Sequence, residues 1–154
     1  MSKDIKFQFD NPEENEGYLL WQVTMLWQRK MKRELDKINI THTQFVLLAT
    51  IAWISKSMDL VTQIDIANHS NTDRMMVSKV LRTLENKKII ARNEHHTDTR
   101  AKTITLTDKG ITLLKKALKI VNEVDSDFFS IITNKEISFD SLMIELINGN
   151  KKVI

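Results

Sequence analysis

The chain has no cysteine. That excludes a disulfide framework, a thiolate metal site, a cysteine nucleophile and a thiol redox switch. It has only three glycines and one proline in 154 residues. A turn-rich sandwich or barrel needs more of both, so long helices are expected instead. No run approaches the roughly 18 apolar residues of a membrane span, and Met1 to Asp10 lacks a signal-peptide core. A soluble, cytoplasmic protein is expected. No glycine-rich phosphate loop, HExxH or GxSxG occurs, so neither an enzyme nor a cofactor is expected.

What is present is ordinary in amount: 42% hydrophobic and 28% charged residues, enough for one globular domain with flanking helices. The net charge of +3 is unevenly placed. Residues 1–40 and 110–154 are each neutral, residues 41–69 carry −1, and residues 70–109 carry +4. A localised basic block between neutral segments is an electrostatic footprint for a polyanion.

Periodicity gives the elements. Over residues 11–38, Leu20, Val23, Trp27, Met31, Leu35 and Ile38 form one helical stripe. Asn11 is the expected cap and Pro12 the first-turn residue. Tyr18, Trp21 and Met25 form a second stripe, for which a second copy of the chain is the simplest partner. Thr41 and Gln44 have capping-box spacing, opening a helix to about Lys56. Thr62 and Asp65 open a third, with Ile64, Ile66 and Ala67 inward. A turn at His69-Ser70-Asn71 leads to a helix over 73–87, capped by Thr72, with Val77, Val80, Leu81 and Leu84 buried. The period then falls to two over Ile89–Glu94 and Thr103–Leu106, which read as a hairpin. Thr107-Asp108 opens a long helix to about Thr133. Ser138 caps a last one, ended by Asn148-Gly149.

Two short helices joined by a tight turn and followed by a basic hairpin describe a winged helix-turn-helix. The expected fold is mainly α, with a two- or three-stranded β wing and dimerisation helices at both ends. The expected division is an N-terminal arm and dimerisation helix (1–40), a DNA-binding domain (41–109) and C-terminal dimerisation helices (110–154).

The motifs resemble those of the MarR family of transcriptional regulators. They are Thr43-Gln44-Phe45-Val46-Leu47, Thr62-Gln63-Ile64-Asp65-Ile66-Ala67, Val77 to Glu85, Ile89-Ile90-Ala91-Arg92, Asp98-Thr99-Arg100 and Ile104-Thr105-Leu106-Thr107-Asp108-Lys109-Gly110, in that order. Lys88 stands where the family often has glycine, and Thr99 where it often has proline. The absent cysteines exclude the peroxide-sensing thiol of some branches. The resemblance implies a homodimeric regulator, by default a repressor, on a pseudo-palindromic operator of double-stranded DNA.

The expected DNA-binding residues follow from which helix face is buried. Arg74 suits a two-pronged bond to guanine, and Met75 a thymine methyl. Ser78 and Thr72 reach bases or phosphates; Lys79 and Arg82 meet phosphates. Thr62 and Gln63 open a helix whose N–H groups can hold a phosphate. Arg100 in the wing suits a narrow minor groove. Arg92 and Lys102 are further phosphate contacts, and by resemblance Asp98 orients an arginine. The resemblance also implies a pocket for a small aromatic effector, for which Trp21, Met25, Met31, His42, Phe45 and Trp53 are candidates. Their alternative is plain core and dimer packing. No metal site is expected, although a metal-responsive regulator using His95 and His96 is an alternative function. A winged helix used only for protein contacts is another.

Overall fold

The computed structural model describes residues 5–94, 102–132, 136 and 138–150. Its elements are α1 (Glu16–Leu35), α2 (His42–Ile54), α3 (Gln63–Ser70), α4 (Arg74–Asn86), β1 (Ile90–Glu94), β2 (Lys102–Leu106), α5 (Asp108–Phe129) and α6 (Phe139–Asn150). The mainly helical winged fold is as expected. Among the described residues no helix is long and apolar enough to cross a membrane.

Several boundaries differ from the sequence reading, each for a local reason. The first helix is not continuous from residue 11. Asn11 caps a single 3-10 turn, Pro12–Glu14, and Asn15 then caps α1 by accepting from the Tyr18 N–H at 2.7 Å. Two cap-capable asparagines in tandem split one segment in two. The cap of α4 is Asp73, whose Oδ1 accepts from the N–H groups of Met75 and Met76. Thr72 instead donates to the Ser70 carbonyl at 3.2 Å. Ile64 is exposed, so only Ile66 and Ala67 of that trio are buried. At the other end α6 runs through Asn148-Gly149 to Asn150.

Helix ends show how the chain manages with few glycines. Asn39, Asn71 and Lys88 all have positive φ, at 56°, 50° and 57°. Each closes a helical segment with the same pair of bonds. Ile40, Thr72 and Ile89 donate back to the carbonyls of Leu35, Ala67 and Leu84, and the left-handed residue donates three back. This is the Schellman closure, in which glycine is preferred and asparagine tolerated. Lysine has no such tolerance, so Lys88 carries strain.

The wing strands pair antiparallel, with Ile90 opposite Leu106, Arg92 opposite Ile104 and Glu94 opposite Lys102. A third segment joins through one bridge only, Thr62 to Thr103, with Ile104 donating to the Val61 carbonyl at 2.8 Å. The core runs from Met31 and Leu35 of α1 through Leu47, Leu48 and Ile51 of α2, Ile66, Val77, Leu81 and Leu84 to Ile104 and Ala117. Gly110 sits where α5 crosses the Ile89 backbone.

Two stability changes of opposite sign follow. A β-carbon on Gly110 would lie 2.1 Å from the Ile89 carbonyl oxygen. Gly110→Ala should therefore cost about 2–3 kcal/mol. Lys88→Gly should gain about 0.5–1 kcal/mol by removing left-handed strain. Urea unfolding of the two variants checks both signs.

Candidate nucleic-acid interface

The orientation of α4 follows from its sequence. Val77, Leu81 and Leu84 are fully buried, while Val80 is only partly so. Three residues on one narrow stripe leave the opposite side to solvent. Arg74, Met75, Lys79 and Arg82 are exposed, Met75 at 82%, and Ser78 is half-buried. The outward face thus carries three cations with a thioether and a hydroxyl among them.

Beside that face runs a groove of about 920 Å³, lined on one wall by Met75, Met76, Lys79, Arg82 and Thr83 and on the other by Thr41, Thr43 and Gln44. The sequence reading missed the second wall. The Thr41–Gln44 capping box locates the start of α2, and both its reciprocal bonds are formed, each 3.1 Å. Local capping says nothing of which helix lies alongside, so the pairing of α2 with α4 was not readable.

The remaining expected contacts are distributed as follows. Thr62 and Gln63 are half-buried at the start of α3. The Thr62 hydroxyl donates to Asp65 Oδ2 at 2.6 Å, and the Thr62 backbone N–H donates to the same oxygen at 2.8 Å. Its side chain is thus engaged in a capping box. Lys102 is exposed at the start of β2. Arg92 is turned inward: its side chain is 16% exposed, and its Nε lies 3.1 Å from Glu85 Oε2 of α4. Asp98 and Arg100, with His95 and His96, lie outside the described residues. Among the described residues no cluster of three metal-donor side chains exists.

The six residues proposed for an effector do not line one space. Met31 and Phe45 are buried in the core, whereas Trp21 and Trp53 are 60% and 69% exposed on different helices. Trp53 meets its own neighbour, with Lys56 Nζ 4.5 Å from the ring centre. Met25 is half-buried on α1. His42 does hold a distinctive position, at the first turn of α2 between two rings. Trp27 meets it edge-on at 4.8 Å and Phe45 stacks at 6.2 Å. The Trp27 indole N–H donates to Asp125 Oδ1 of α5 at 2.8 Å. These contacts tie α1, α2 and α5 together. An apolar recess of about 810 Å³ lies between α1 and the end of α5, lined by Val23, Leu26, Phe128, Phe129, Ile131 and Phe139 together with Arg29, Lys30 and Arg33.

The ArnR1-like winged-helix domain family matches residues 36–125, more than half of the chain. The chain belongs to that family. It is 40% identical over 129 residues to the HTH-type transcriptional regulator YdcH of Bacillus subtilis strain 168, itself uncharacterized, covering 84% of this chain and 88% of YdcH. Among solved structures it resembles the DNA complex of S. aureus MepR, with a TM-score of 0.71 and 29% identity over 90% of this chain and 96% of that one. It shares the fold of a cysteine-to-serine variant of E. coli MarR solved with operator DNA, at a TM-score of 0.74 and 19% identity, covering 85% and 91% of the two chains. The protein is a DNA-binding transcriptional regulator of the winged helix-turn-helix type.

The His42 site sets a pH dependence. Burial pushes its imidazole below the ordinary value, and the Asp125 charge opposes that only in part. As pH falls, the unfolded chain therefore takes up the proton first. The stability that neutral His42 holds above about pH 6.5 is lost on acidification. Unfolding measured at about pH 7.5 and about pH 5.5 should show a drop that is smaller in a His42→Gln variant. Equal drops in the two proteins would remove His42 as the cause.

Proposed function

We propose that the protein is a two-fold homodimeric repressor that reads a pseudo-palindromic operator. In this reading α4 enters a major groove and the wing lies in the neighbouring minor groove. Half-sites lie about 10 bp apart. The observation that carries it is the burial of Val77, Leu81 and Leu84, which turns Arg74, Lys79 and Arg82 outward on one face. Residues 1–40 and 110–154 act as the dimerisation part and residues 41–109 as the DNA-binding part. In support, α1 exposes Tyr18, Leu19, Leu20, Trp21 and Leu26, and α6 exposes Leu142, Leu146 and Ile147. Two copies of the chain would cover such surfaces. Such a regulator works in the cytoplasm, where its operator is.

Within the site, Arg74 and Met75 read base edges with Ser78, and Lys79, Arg82, Thr62, Gln63, Thr72 and Lys102 meet the backbone. Arg100 meets the minor groove, and by resemblance Asp98 orients an arginine. A small aromatic effector releases the DNA by favouring a dimer shape with a different spacing of the two α4 helices. The recess between α1 and the end of α5 is the better candidate place for it than the six residues expected from sequence.

Salt titration of duplex binding tests this reading. Removing one phosphate contact lowers the slope of log affinity against log salt by about 0.9. Lys79→Ala should do this on operator and random duplex alike. Arg74→Ala should instead narrow the gap between operator and random duplex by about 1–3 kcal/mol. A protein adaptor would show no duplex binding to titrate.

A further inference from the structure

The Glu85–Arg92 contact is unusual for its position. Glu85 lies seven residues after Ser78 and three after Arg82, so it stands on the flank of α4 that adjoins the wing. It brings a negative charge to the edge of a face otherwise rich in cations. Arg92 reaches it from the middle of β1, where it pairs with Ile104 in the register. The guanidinium Nε and Nη2 are buried, and neither has a hydrogen-bond partner of good geometry. The two charges are thus an ion pair held by position. With Nε and Nη2 withdrawn from solvent, the guanidinium is committed to the carboxylate rather than to a phosphate. Loss of Arg92 here leaves an unpaired carboxylate beside DNA, which repels phosphate.

We propose that Arg92 is a positioning residue: with Glu85 it braces the wing against α4 and neutralises an acidic group at the edge of the DNA-facing surface. This rests on the DNA-binding reading above, and replaces a direct phosphate contact by Arg92 with an indirect role. The pair fixes the angle at which helix and wing present themselves together.

The test is a double-mutant cycle on an operator duplex, using Arg92→Gln, Glu85→Gln and the pair, with thermal unfolding to confirm that each variant is folded. Arg92→Gln alone should weaken binding about tenfold. In the Glu85→Gln background the same change should cost about threefold or less. Because the two charges cancel, the double variant Glu85→Gln/Arg92→Gln should keep the salt slope of the wild type. Equal losses in both backgrounds, or a slope lower by about 0.9, would mean that Arg92 meets a phosphate and would overturn the proposal. So would an Arg92→Gln variant that binds as tightly as the wild type. Wild-type protein on the same duplex separates the two levels, since its failure to bind would remove the DNA-binding reading itself.

Discussion

The burial of one narrow stripe on α4 constrains everything else. Val77, Leu81 and Leu84 are withdrawn completely from solvent, each contributing about 1.5–3 kcal/mol. A rotation of α4 that exposed them would bury cations in their place. The helix therefore has one orientation on α2 and α3, and its charged face has one direction. The direction of the charged face is set by apolar packing on the opposite side.

The chain holds that orientation with local devices at each junction. Asp73 satisfies two free N–H groups at the start of α4, and Lys88 turns the chain out of it toward β1. The Thr107 hydroxyl donates to the Ile89 carbonyl at 3.0 Å and also caps α5. Gly110 then lets α5 cross that same carbonyl. The helix α4, the wing and α5 thus meet within a few residues around Ile89. In the other direction, the Trp27–Asp125 bond and the His42 ring join α1 and α5 to the start of α2.

Much of this was legible in the sequence because the signals are local. The capping boxes at Thr41–Gln44 and Thr62–Asp65, and the change of period at Ile89, each depend on residues within a turn of one another. The left-handed conformation at Lys88 falls where the family resemblance has glycine. What escaped depends on distance or competition. Thr72 and Asp73 are both good caps, but the Thr72 hydroxyl is taken by the Ser70 carbonyl and Asp73 caps α4. Ile64 has the apolarity of a core residue but stands on the exposed side of α3. Arg92 looks like any cation in a basic block, and only the fold brings Glu85 to it. The effector residues were chosen by type, yet Trp21 and Trp53 stand on separate exposed faces while Trp27 does the internal bonding.

The central claim is that the outward face of α4 lies against DNA. Because the chain has no cysteine, a single introduced thiol reports on one place only. Met75→Cys and Thr83→Cys mark that face, and Trp53→Cys marks an exposed position near the far end of α2. With saturating operator duplex, alkylation of the first two thiols should slow sharply while the third is unchanged. Equal alkylation at all three positions, with binding confirmed in the same samples, would contradict the account.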